Sequence, residues 1–136
     1  MTARPLHVLA LAVALTTTAC GESPDHTGAD PAWREPASYT CTLDAESQVL
    51  AGTFHLTVRD GRVTSATGPG QSAHAELPTI GVLLTHLETA RANDADTATV
   101  EYAPDGHPTR IVLDEDRNAI DDEATYVISA YRPSAG

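Results

Sequence analysis

Six carboxylates crowd into residues 114–123, the densest charge cluster in the chain. Asp114, Asp116, Asn118 and Asp122 fall at positions 1, 3, 5 and 9 of a calcium loop of EF-hand type, where oxygen ligands at alternating residues wrap a hard cation. Two positions depart from that pattern. The sixth is Ala119 instead of glycine, the twelfth is Thr125 instead of a bidentate glutamate, and no helical pattern flanks the tract. The competing expectation is a solvated acidic turn between two strands, with Asp121 or Asp122 accepting hydrogen bonds from backbone amides.

Other reactive side chains are scattered. Of six histidines, His7 lies in a leader and His26 in a linker, while His55, His74, His86 and His107 fall on separate elements without the close pairing that a zinc site needs. Cys41 and His55 could be drawn as a dyad across neighbouring strands, but Cys41 belongs to an apolar alternation and His55 to a polar one, so they face opposite ways. Cys41 is therefore expected to pack as a small hydrophobe. No nucleophile elbow, phosphate loop, dinucleotide fingerprint, zincin helix or Cys-x-x-Cys pair occurs. An enzyme is not expected, nor is a cofactor other than calcium.

Cys20 offers different chemistry. Arg4 precedes an uncharged apolar stretch, Val8 to Leu15, and then Thr16, Thr17, Thr18, Ala19 and Cys20, the three regions of a secretory leader. Eight to ten apolar residues are too few for a spanning helix, which needs roughly 20. Thr17-Thr18-Ala19-Cys20-Gly21 resembles the lipobox of bacterial lipoproteins, although the usual leucine three places before the cysteine is replaced by Thr17. That resemblance implies cleavage after residue 19 and a lipid on Cys20. Ordinary secretion with a free Cys20 thiol is the alternative. Acyl chains at roughly 0.8 kcal/mol per buried methylene would hold the protein at a bilayer.

The remaining chain must position these groups. Residues 20–36 carry three prolines and two glycines and read as a tether, whose 16 residues after Cys20 would reach about 20 to 25 Å. Trp33 is expected to be the first residue anchored on the domain. From Ala37 the domain, residues 37–133, begins with a strand that points Tyr39, Cys41 and Leu43 one way. A second strand over 52–58 points Phe54, Leu56 and Val58 inward, and Asp60-Gly61 supplies a two-residue turn that pairs Arg59 with Arg62 and Val58 with Val63. Thr79 caps a helix whose Ile80, Leu83, Leu84, Leu87 and Ala90 recur at three- and four-residue steps, with Asn93 as its stop. Strands follow over 97–102, 109–114 and 124–131. The expected class is α+β: an antiparallel sheet of about six strands in βββ-α-βββ order, with one amphipathic helix packed on one face.

Charge narrows the partners. The chain has 136 residues, 19 acidic and 8 basic, and every basic residue is arginine, giving a net charge of -11. Loss of residues 1–19 removes Arg4 and no acid, which makes it -12. No cationic run is available to track phosphates, so nucleic acid is not an expected partner. A field of that sign also disfavours anionic headgroups, which assigns membrane attachment to the lipid.

Several of these segments together resemble a family of small actinobacterial lipoproteins that share a domain of unknown function. They are Val58-Arg59-Asp60-Gly61-Arg62-Val63, Pro78-Thr79-Ile80, Asp105-Gly106-His107-Pro108 with Ile111 and Asp114, and Ala119-Ile120-Asp121-Asp122-Glu123 with Tyr126 and Ile128. The resemblance implies an address and an architecture and carries no catalytic residue. The expectation is a lipoprotein on the extracytoplasmic face of the cell membrane, a non-catalytic module that binds a protein or a cell-wall ligand. The alternative is a structural or sensing domain that binds calcium through the acidic loop.

Overall fold

Alternation of apolar and polar residues decides the sheet. In the computed structural model, which describes residues 32–69 and 77–135, β1 (Tyr39–Glu46) buries Tyr39, Cys41, Leu43 and Ala45, and β2 (Ala51–Arg59) buries Phe54, Leu56 and Val58. The turn to β3 (Arg62–Thr67) places Asp60 at φ 51° and Gly61 at φ 71°, the two positive values that a primed hairpin turn requires. Arg59 consequently faces Arg62, and Val58 faces Val63. Residues Pro31–Gly136 form one compact unit distinct from Met1–Asp30. The leader, Cys20, His26, His74 and the tether up to residue 31 lie outside the described residues.

The helix α1 (Ile80–Ala92) begins as expected, with the Thr79 side chain accepting from the Val82 amide. Its buried stripe is narrower than the periodicity predicts. Ile80, Leu83, Leu87 and Ala90 are buried, whereas Leu84 is half-buried at the edge of the core. Steps of three, four and three keep one line of side chains against a flat sheet, and Leu84 falls on the flank of that line. Asn93 is the C-cap, but the left-handed conformation that ends the helix is taken by Asp94, at φ 57°.

Three strands complete the sheet: β4 (Thr97–Tyr102), β5 (Pro108–Asp114) and β6 (Ala124–Pro133). All pairings are antiparallel, and the spatial order is β3-β2-β1-β6-β5-β4, so the first and last strands meet in the middle. The helix lies on one face, against β4 and β5, and its buried residues join Leu43, Leu56, Ile111 and Ile128 in one core. The opposite face carries Thr40, Thr42, Asp44 and Glu46 of β1 beside Thr57, His55 and Thr53 of β2.

A bulge in β6 changes which of its side chains reach the core. Thr40 faces Arg132 and Thr42 faces Ser129, so β6 carries one residue more than β1 across that step, and Ala130 adopts φ 48°. The insertion reverses side-chain parity. Tyr126 and Ile128 point into the core as even-numbered residues, and beyond the bulge it is Tyr131 that packs inward, 5.5 Å from the Tyr39 ring.

Candidate functional site

The N-terminus of α1 has no acidic residue in its own first turn, so its free amides need a partner from elsewhere. Glu35 supplies it. Its carboxylate accepts from the Gly81 amide (3.0 Å), the Tyr39 hydroxyl (2.6 Å) and the Thr79 hydroxyl (3.2 Å), while the Tyr39 oxygen accepts from the Ile80 amide (3.0 Å). Burial, and then the adjacent Glu35 carboxylate, holds the Tyr39 hydroxyl in its protonated form far above the ordinary tyrosine range. The same two causes push the Cys41 thiol up to about 11, which leaves it neutral and poorly nucleophilic at physiological pH. Cys41 is buried, and His55 lies on the other face with Nδ1 bonded to the Thr42 hydroxyl at 3.0 Å, so no dyad forms.

Glu35 and Trp33 both fall in the stretch whose composition reads as a tether, yet in the described residues 32–36 they are part of the fold. Trp33 packs edge-on against Tyr131 at 6.3 Å, as expected of a first anchored residue. His107 stacks on the same ring at 4.5 Å and is hydrogen-bonded through Nδ1 to Asp105. This aromatic end is a structural clasp.

At the other end of the sheet lies the acidic tract, and two of its six carboxylates, Asp116 and Asp122, are committed to the loop itself. Asp122 Oδ2 accepts from the Asp116 amide (2.7 Å), and Asp116 Oδ1 accepts from the Asn118 amide (2.9 Å) and from Asn118 Nδ2 (2.8 Å). Arg117 grips Asp96 with two side-chain bonds and one backbone bond, tying the loop to the turn after α1 and holding the Asp96 carboxyl down at about 2. Asp114 Oδ1 and Asp122 Oδ1 are buried without a donor. Thus Asp116, Asn118 and Asp122 are brought together by mutual hydrogen bonds. Among the described residues, no group of three or more His, Cys, Asp or Glu side chains is arranged to hold a metal.

Beside this loop the β1–β2 connection and the start of β6 enclose an open cleft of about 260 Å³, lined by Glu46, Ser47, Gln48, Ile120, Asp121, Glu123 and Thr125. Ile120 is 91% exposed at its rim, and Val49, on the same β1–β2 connection, is 89% exposed. Ile120 is the aliphatic side chain that lines the cleft, beside the carboxylates of Glu46, Asp121 and Glu123. Sequence patterning marks the acids but misses the cleft, because Glu46 and Glu123 are far apart in the chain and meet only through the β1–β6 pairing.

Among the described residues no helix is long and apolar enough to cross a membrane. No curated protein and no solved structure matches the chain. A family model does match, over residues 29–133, a span that begins ahead of Trp33 and Glu35 and ends with β6. The chain belongs to that family, a family of unknown function (DUF6174).

Proposed function

We propose that this protein is a lipoprotein of the extracytoplasmic membrane face that binds a partner, a protein or a cell-wall ligand, without catalysing a reaction. The cleft between the β1–β2 connection and the β5–β6 loop carries the binding half of this reading, because it joins exposed Ile120 to a ring of carboxylates. The anchor half is supported by the leader pattern of residues 1–19 and the lipobox resemblance around Cys20. Replacing Cys20 with serine is expected to block lipidation and leave either unprocessed precursor or protein released from the membrane. Wild-type protein found in the medium, with an unmodified mature N-terminus, would overturn the anchor.

A second reading has an observation of its own. Asp114 Oδ1 and Asp122 Oδ1 are buried acceptors with no donor, the kind of orphaned oxygen that a bound cation would satisfy. One thermal-shift experiment separates the two readings. A site for calcium gives a saturable rise, about 2.7 kcal/mol at a hundredfold excess over Kd, that magnesium and ionic-strength-matched sodium chloride do not reproduce and that Asp114→Asn with Asp122→Asn abolishes. A binding cleft responds instead to cell-wall fragments and loses that response in Ile120→Ser. Equal shifts in all three salts reduce the tract to a solvated turn.

A further inference from the structure

The chain's negative charge is not spread evenly. On the sheet face away from α1, Arg59 pairs with Arg62 at the β2–β3 turn, and Arg132 stands beside Thr40, two strands from Thr57 and thus about 10 Å away. All three arginines are exposed, and among the described residues none of them forms an ion pair. His55 lies one row further along, where it shares a shallow hollow with Thr40, Thr42 and Arg132. Asp60, at the tip of the turn, is the one acid between Arg59 and Arg62. The acidic cleft with Glu46, Asp121 and Glu123 lies at the opposite end of β1, about 23 Å away for an eight-residue strand.

The basic end is also where the chain enters the domain. The Gly61 amide donates to the Ala37 carbonyl (2.9 Å), and the Ser134 amide donates to the Ser38 carbonyl (2.9 Å). Residues 37 and 38 are therefore held between the Arg59–Arg62 turn and the end of β6 that bears Arg132. Cys20 is twelve residues before Ala32, a stretch that cannot exceed about 43 Å even when fully extended.

We infer that Arg59, Arg62 and Arg132 form a docking surface for an anionic phospholipid bilayer, which turns the acidic cleft away from the membrane. The inference rests on the proposed anchor at Cys20, because a domain with this net charge needs the anchor to bring it within a Debye length of a surface that repels it as a whole. Once it is held there, orientation is set by which end is attracted. Each arginine near such a surface favours the docked orientation by roughly fivefold.

The test couples a chain of residues 20–136, which retains the whole compact unit, through Cys20 to a maleimide lipid in nanodiscs that contain a gadolinium-chelating headgroup. Cys41 is buried, which directs the coupling to Cys20. In discs of phosphatidylcholine and phosphatidylglycerol in equal parts, amides of residues 59–62, 132 and 134 are expected to relax much faster than those of 121–123. In phosphatidylcholine alone, in half-molar salt, or after Arg59→Gln, Arg62→Gln and Arg132→Gln together, the difference should collapse while the protein stays attached. Equal relaxation at both ends in the anionic discs, or a triple variant that behaves as wild type, overturns the docking surface. Because the coupling is chemical, this result is independent of whether a cell attaches lipid to Cys20.

Discussion

Replacing Leu87 with alanine is expected to lower the unfolding free energy by about 2 to 5 kcal/mol, and Leu83→Ala by a similar amount. Leu87 is 0% and Leu83 1% exposed, and both sit in the single core that α1 shares with the sheet. The truncation removes transfer free energy and opens a cavity that a rigid sheet cannot close. Leu84→Ala should cost distinctly less, because that side chain is half-buried and its site is already open to solvent. Thr85→Ala, on the wet face, should change stability by no more than about 0.5 kcal/mol. Urea denaturation with a common m-value is the measurement. Equal losses at Leu84 and Leu87 would mean that the helix is rotated from the orientation described.

Leu84 also shows how far patterning reaches. Spacing alone puts Ile80, Leu83, Leu84 and Leu87 on one apolar face, and only the width of the surface they meet decides which of them is covered. Local signals were otherwise legible wherever the determining residues are neighbours in the chain. Asp60-Gly61 specifies the turn, the turn fixes Arg59 opposite Arg62, and Thr79 starts the helix. The meeting of β1 with β6 has no such local sign, since two strands about ninety residues apart pair through the closure of the whole sheet. With it went the cleft, the side-by-side placement of Thr40 and Arg132, and the charge polarity of the open face. Tyr131 is a further case. Unbroken alternation with Tyr126 and Ile128 would send it to solvent, and the bulge at Ala130 brings it onto Tyr39.

Net charge, too, leaves out how the charges are arranged. A net charge of -11 describes the field far from the molecule, where all groups are at comparable distance. Close to the surface the separation of ends matters more. Arg117 is committed to Asp96 and so does not soften the acidic end as a free cation, whereas Arg59, Arg62 and Arg132 have no carboxylate partner among the described residues at the basic end. A chain without lysine thus keeps Arg59, Arg62 and Arg132 available at one end of that face.

The Glu35 clasp leads to a prediction in which one substitution changes sign. Glu35→Ala should destabilise the fold by about 2 to 4 kcal/mol. The Gly81 amide and the inward Tyr39 hydroxyl would lose a charged acceptor, and each buried group left unpaired costs about 1 to 3 kcal/mol. Gly81→Ala should also destabilise, because a Cβ there would collide with Glu35 Oε2 and force the carboxylate off the helix. The two effects share one cause and cannot add. Once Glu35 is alanine the obstruction is gone, and Gly81→Ala should then stabilise by up to about 1 kcal/mol, the ordinary preference of a helix for alanine over glycine. Four urea titrations close this double-mutant cycle. A Gly81→Ala penalty of the same size with and without Glu35 would show that the carboxylate does not hold the helix N-terminus.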